Sequence, residues 1–296
     1  MKTFCILEQG GNIGDALTEE HKKQFNTEYS DFYRLNWKTD KDTNAFVTDT
    51  NCIWSEGRSL LYDKVPKNYD YYIFIDDDVK FHEEDVALKI KELLEEYKPI
   101  TGTFLDYFKS VIQEESGKVR SYLSWHFRNM KDKIESRGKK VFPIAMYDLA
   151  CQIFSKEYAS CMFPVTHHGG NRSLWYAQYV CHKLYPRKNL CFTEVEITNT
   201  RTVPHEYDTK KHYTELEAQV ASKIVDKFAK DLYDPEDFSR LNKKELIYEL
   251  NRNLYDEEAD KTFIDFNVDD LATIYNVDNE DYKSRSAKVK QNASID

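Results

Sequence analysis

The stretch Tyr71-Tyr72-Ile73-Phe74-Ile75-Asp76-Asp77-Asp78 decides how the rest of the chain is read. Its consecutive aromatic and β-branched residues suit a strand covered on both faces, since such a strand has no solvent side on which to place polar residues. The pattern predicts a strand from Tyr69 to Val79 that runs into adjacent carboxylates. Like charges gathered in a partly buried place raise one another's pKa and cost free energy, so stability alone does not select them. A divalent cation removes the conflict, and oxygen ligands suit Mg²⁺ or Mn²⁺. Strand alternation would turn Asp76 and Asp78 to one site and Asp77 to another. In open α/β sheets the ligand crevice lies at the carboxyl ends of strands, where this cluster falls. A calcium loop of the EF-hand kind is excluded. It needs an oxygen ligand where Lys80 stands, Gly where Phe81 stands and Glu where Ala87 stands.

Outward from that strand, Thr3 to Leu7 predicts a first strand entering a loop with Gly10, Gly11 and Gly14. Many nucleotide-binding sheets begin with a strand and a glycine-rich turn, which makes Gly10 a candidate cofactor contact. The spacing is neither G-x-G-x-x-G nor a P-loop. Short strands are expected at Asp31 to Trp37 and Ala45 to Thr48. Ser55 to Asp63 predicts a helix with Ser55 as N-cap. Within it Arg58 offers a planar fork of donors suited to a diphosphate or nucleobase, with a surface ion pair to Glu56 or Asp63 as the plainer role. Val86, Ile90, Leu93, Leu94 and Tyr97 form one apolar face of a helix from Glu83 to Tyr97, with acidic residues in its first turn and Pro99 as its stop.

Ile100 to Phe108 and Val119 to Phe127 read as strand-like, Val141 to Phe154 as a strand pair or one bent strand, and Ser155 to Ala159 as a helix start. A loop at His167 to Asn171, a helix from Leu174 to Leu184 and a late strand from Cys191 to Val203 follow. Beyond Asp208 the pattern turns helical (Tyr213 to Leu232, Leu241 to Leu254) and then polar after Tyr282. The chain thus divides into an α/β body over 1–208 and a helical C-terminal extension over 209–296.

The 296 residues are 41% hydrophobic, enough for a core of ordinary size, and the net charge of -10 argues against a general nucleic-acid binder. The six cysteines show neither CxxC pairs nor zinc spacing and are read as reduced thiols of a cytoplasmic protein. No signal peptide is expected, so the sequons at Asn171 and Asn292 carry no weight, and no apolar run approaches the roughly 18 residues of a membrane span.

The segment YYIFIDDDVKF resembles the DxD segment of GT-A-fold glycosyltransferases, in which an apolar strand delivers carboxylates to a metal-bound nucleotide sugar. Cys151 to Glu157, Ser173 to Tyr176 and Asn199 to His205 are similar to further segments of such families. The resemblance covers about residues 1–208. It implies a Rossmann-like mixed sheet sandwiched by helices, Mn²⁺ or Mg²⁺ as cofactor, a nucleotide-sugar donor with UDP favoured, and a glycan or small-molecule acceptor. Carried over, Asp76 contacts the nucleotide ribose or a metal-bound water, Asp77 lies beside the cofactor, and Asp78 and His205 complete the metal site. Trp175 and Tyr176 line the acceptor side. Trp125 and His126 are further candidates to stack on a sugar ring, and His167-His168 beside two glycines read as a mobile loop near the site without the third ligand of a zinc site. An inverting transfer needs a general base. Asp148, an acid among apolar neighbours, is the first candidate, with Glu194 and Glu196 behind it; a retaining transfer needs none. Two other classes stay open: a metal-dependent nucleotidyl- or phosphotransferase, and a non-enzymatic carbohydrate- or partner-binding module.

Overall fold

The structure, a computed structural model, describes residues 2–11, 16–42, 45–50, 52, 54–110, 120–123, 127, 130–163, 178, 181–182, 185, 187–200 and 250–262. The expectations at Trp125, His126, His167, His168, Asn171, Trp175, Tyr176, His205 and Asn292, at Tyr213 to Leu232 and in the polar tail lie outside these residues.

The chain opens with β1 (Phe4–Gly10), α1 (Ala16–Phe25), β2 (Ser30–Asn36) and the short β3 (Val47–Thr48). Then come α2 (Trp54–Lys64), β4 (Tyr71–Asp76), β5 (Val79–Phe81), α3 (Val86–Tyr97), β6 (Thr101–Ser110) and β7 (Arg120–Leu123). The described elements end with α4 (Lys131–Arg137), β8 (Val141–Pro143), β9 (Cys151–Ser155), α5 (Lys156–Met162) and β10 (Asn189–Asn199). Among the described residues these strands form one mixed sheet in the order β3-β2-β1-β4-β9-β6-β10-β5, with β7 on β6 and β8 on β10. β3, β2, β1 and β4 are mutually parallel, and β9 runs antiparallel between β4 and β6. β6 and β10 are parallel to each other.

Both faces of the sheet are covered. Tyr72 and Phe74 of β4 join Cys5 and Leu7 of β1 under Leu61 of α2 and Met162 of α5. The alternate residues, Ile73 and Ile75 with Phe4 and Ile6, lie under Phe25 of α1 and Ile90 and Leu94 of α3. This is the period-two division of a doubly covered strand, and it is why YYIFI reads as an unbroken apolar run. A smaller cluster joins Leu105 of β6, Phe142 of β8, Tyr147 and Tyr255.

Several boundaries differ from expectation. The strand expected over Tyr69 to Val79 is two strands, because the chain turns at Asp77-Asp78 and Val79–Phe81 leaves to pair with β10. α3 begins at Val86, so Glu83, Glu84 and Asp85 precede it rather than filling its first turn. Lys98 closes α3 in the left-handed conformation, just before Pro99. Val141 to Phe154 holds two strands rather than one bent strand, but the two do not pair with each other. β8 and β9 pair with different partners, and a loop over 144–150, most of it buried, joins them. α1 was missed because its inward face includes Thr18 and His21, whose polar atoms hide the apolar periodicity. α4 was also missed; it is short and none of its residues is buried. The expected helix over Leu241 to Leu254 is described only from residue 250, where it is helical.

Gly102 of β6 faces Leu190 of β10, and a Cβ there would lie 2.5 Å from the Leu190 carbonyl oxygen. That oxygen belongs to backbone and cannot swing away. Gly102→Ala is expected to cost about 1–3 kcal/mol, read as a lower urea midpoint. An unchanged midpoint would show that the two strands do not approach so closely.

Candidate active site at the aspartate turn

β1 has β2 on one side and β4 on the other, and the helices that follow β1 and precede β4 cover opposite faces. The strand order therefore reverses between β1 and β4, where an α/β sheet opens a crevice at its carboxyl edge. Gly10 ends β1 and Asp76-Asp77-Asp78 ends β4. The Gly11 N–H donates to Asp77 Oδ2 at 2.9 Å across that gap. A Cβ on Gly10 would lie 2.2 Å from the same carboxylate oxygen. Gly10 is thus required for the fit of Asp77 before any cofactor is considered, and the expected cofactor contact at Gly10 has this structural cause beside it.

Asp76 turns under α2. Its Oδ1 accepts from Arg58 Nη2 at 2.9 Å and from Trp54 Nε1 at 3.0 Å. Arg58 also donates to Gln152 Oε1 at 2.8 Å and to the Leu149 carbonyl at 2.8 Å, and it stacks 3.9 Å over the Trp54 ring. Arg58 is fully buried while the Asp76 side chain is 12% exposed. The structure corrects both expected roles for Arg58: burial removes it from a surface pair with Glu56 or Asp63, and its fork is taken up by protein acceptors rather than turned to a diphosphate or nucleobase. Burial pulls the guanidinium below its ordinary pKa, and the Asp76 charge opposes that pull. Removing one partner from such a pair typically costs about 3–5 kcal/mol, because the other charge is left alone in a poor solvent.

The backbone of the turn is anchored at successive residues. Asp76 N–H donates to the Ala150 carbonyl at 2.9 Å and Asp77 N–H to Gln9 at 3.2 Å. The Asp78 carbonyl accepts from both the N–H and the hydroxyl of Thr200 at 2.7 Å. The Val79 carbonyl meets His21 Nε2 at 2.7 Å. His21 in turn contacts Glu8 through Nδ1, and Glu8 also holds Arg34 and the Thr18 hydroxyl. Arg34 Nε reaches Asp42 at 3.0 Å. Burial works against the Arg34 charge, but Glu8 and Asp42 outweigh it and raise its pKa. This buried charged cluster went unnoticed in the sequence. Glu8 lies within an apolar strand and its partners belong to two later elements, α1 and β2, so no local spacing marks it.

The turn also removes the alternation on which the shared facing of Asp76 and Asp78 was expected. Asp76 engages α2 and Asp77 engages the glycine loop. Among the described residues no three His, Cys, Asp or Glu side chains converge as a metal cage. The donor set still fits an ion of the Mg²⁺ kind, which is commonly held by one or two carboxylates and completed by phosphates and water. Asp78 and the exposed part of Asp76 are the carboxylates that would hold it, although the turn no longer gives them a common facing.

Asp148 stands in the 144–150 loop rather than in a strand, half-buried, and its Oδ1 accepts from Ala150 N–H at 2.9 Å. Glu194 pairs with Lys140 at 2.9 Å and Glu196 is exposed, which places both on the outer side of the β10 irregularity. A buried acid that sequence reading passed over is Asp106 in β6, 2% exposed. Its signal was present, a lone carboxylate inside the apolar run TGTFLDYF. Burial raises the thiols of Cys5, Cys151, Cys181 and Cys191, and that of Cys52 to about 12, so these five free cysteines are not thiolate nucleophiles. A cavity of about 410 Å³ lined by Thr3, Asp70, Leu94 and Ser155 lies at the opposite edge of the sheet, at the start of β1 and β4. It is remote from the turn and takes no part in this site.

Burial raises the Asp77 carboxyl above its ordinary pKa, against the pull of the Gly11 N–H and Arg34. The folded state therefore binds this proton more tightly than the unfolded chain, and the ionised carboxylate weakens folding at neutral pH. The penalty shrinks as pH falls through the raised folded value and is gone below the unfolded value. Asp77→Asn keeps an acceptor for Gly11 and is expected to melt higher than the parent at pH 7, with the gap closing toward pH 4. A gap that is absent or widens on acidification would contradict this.

The sequence matches no family model and no curated protein. Among solved structures, A197 from STIV aligns over 70% of this chain and 100% of its own, at 12% identity and a TM-score of 0.39. A likeness at that level carries no argument about activity.

Proposed function

We propose that this chain is a metal-dependent glycosyltransferase that moves a sugar from a nucleotide-diphospho-sugar, with UDP favoured, to a hydroxyl of a glycan or small-molecule acceptor. The observation that carries the reading is the rigid aspartate turn facing the glycine turn at the β1/β4 reversal. An acidic, preorganised edge beside a glycine turn suits a diphosphate delivered with its cation. The strand arrangement, four parallel strands followed by one antiparallel, agrees with the GT-A-like architecture that the DxD resemblance implies.

In this reading Asp78, with the exposed part of Asp76, would hold Mn²⁺ or Mg²⁺. When bound, the ion supplies positive charge against the nucleoside diphosphate that leaves. Asp76 keeps the Trp54 and Arg58 side chains in place, and Asp77 fixes the Gly10–Gly11 backbone beside the donor. Asp148 receives the acceptor hydroxyl proton in an inverting transfer, held by its bond to Ala150. His205, Trp175 and Tyr176 keep the metal and acceptor roles that the resemblance implies. A nucleotidyl- or phosphotransferase would use the same carboxylates and is separated by its product.

Two measurements test this. UDP with Mn²⁺ is expected to raise the melting temperature of the full chain, and UDP-sugars to yield UDP and transferred sugar rather than pyrophosphate. Asp78→Ala is expected to abolish the Mn²⁺-dependent shift and to lower transfer by about 10³-fold. An unaltered metal response in that variant would remove the site. Asp148→Asn is expected to keep donor binding and lower turnover by about 10²–10⁴-fold. Near-normal turnover would exclude Asp148 as base and turn attention to Asp106.

A further inference from the structure

The loop over 144–150 supplies three groups to the aspartate site: the Leu149 carbonyl to Arg58, the Ala150 carbonyl to Asp76 N–H, and the side chain of Asp148. A loop between two strands that do not pair with each other has no ladder of its own to hold it. Its hydrogen bonds go elsewhere, and the densest set goes to one residue more than 100 positions later in the chain. Asn251 is fully buried. Its Oδ1 accepts from Ala145 N–H at 3.0 Å and Met146 N–H at 3.4 Å, and its Nδ2 donates to the Met146 carbonyl at 2.8 Å. Only a carboxamide both accepts and donates in this way. An aspartate would lose the donor and bury a charge, and an alanine would leave two backbone N–H groups without this acceptor.

The segment carrying Asn251 is fastened on its own account. Tyr255 is buried against Phe142 of β8 with ring centroids 4.8 Å apart, and its hydroxyl donates to the Lys133 carbonyl at 3.0 Å. Asp256 also pairs with Lys133 at 2.6 Å and with Arg137, but these exposed pairs add little to the fastening. Asp260 N–H donates to Arg187 at 3.1 Å.

We infer that residues 250–262 are an intramolecular clasp of the active site, in which Asn251 is a positioning residue that fixes the 144–150 loop and, through Leu149 and Ala150, the Arg58–Asp76 pair. The catalytic consequence rests on the function proposed above; the clasp itself does not. Asn251 touches no reacting atom, so its loss acts through the loop.

The test uses the full chain with Asn251→Ala, Asn251→Ser in case the first variant does not fold, and Asp256→Asn as a control that removes only exposed ion pairs. Backbone hydrogen exchange is followed in peptides spanning 144–150, together with UDP–Mn²⁺ affinity and transfer. Loss of Asn251 is expected to speed exchange in that loop about tenfold or more, with β1 and β4 amides unchanged. UDP–Mn²⁺ affinity is expected to fall several-fold, with turnover falling further than affinity because Asp148 is displaced. Asp256→Asn is expected to leave all three readouts near the parent values. Unchanged loop exchange in a folded Asn251 variant, or faster exchange everywhere, would overturn the clasp. If the parent chain binds no UDP, the functional reading fails while the exchange result still decides the clasp.

Discussion

The buried pair between Arg58 and Asp76 is the constraint on which the site is built. A guanidinium with no exposed surface is tolerable only if its charge is matched and most of its donors are used, and here the partners of its two Nη atoms and its ring contact come from four places in the chain. Asp76 ends β4, Gln152 belongs to β9, Leu149 lies in the loop before β9, and Trp54 precedes Arg58 on the same helix. Each contact fixes one element against the others. α2 is thereby set in rotation and height over the sheet, and the β8–β9 loop is drawn across the end of β4. The pair contributes less as a source of stability than as a geometric specification, since desolvation offsets much of its attraction.

The same economy of position applies to the aspartates. Three adjacent carboxylates would splay in a flexible loop. Here successive residues from Asp76 to Val79 each have a backbone group tied to a different element, namely the loop before β9, β1, the end of β10 and α1. A site anchored in this way needs little reorganisation when charge changes within it, which is the property electrostatic catalysis requires. Behind it, Glu8, His21, Arg34 and Asp42 satisfy one another in the dark side of the sheet and carry the rigidity of β1 and β2 to the turn. The C-terminal segment adds a further tie from the far side through Asn251.

Much of the α/β body was legible because its signals are local. YYIFI is a strand because its residues cannot face water on either side, and its abrupt passage into carboxylates marks a strand end. Val86, Ile90 and Leu94 announce α3 through spacing alone, although the acidic residues ahead of it lie outside the helix. Legibility failed where polar residues face inward. α1 buries Thr18 and His21 for the sake of Glu8, so it has no apolar stripe to read. Arg58 reads locally as a donor for a diphosphate or nucleobase because its matching charge, Asp76, stands far from it in sequence. Asp148 appeared to interrupt an apolar strand, whereas the apolar residues around it line a buried loop.

By itself the sequence determined that a doubly covered strand ends in a run of carboxylates, since strand burial and charge repulsion follow from neighbouring residues. Only the tertiary structure decided which way each carboxylate points, that Asp76 is shared with Arg58 and Trp54, that Gly10 makes room for Asp77, and that a residue beyond position 250 holds the loop beneath them. The physical reason is that the alternation of side chains along a strand ends where the chain turns. Past that point direction is set by hydrogen bonds and ion pairs between segments far apart in sequence, and no local pattern encodes them.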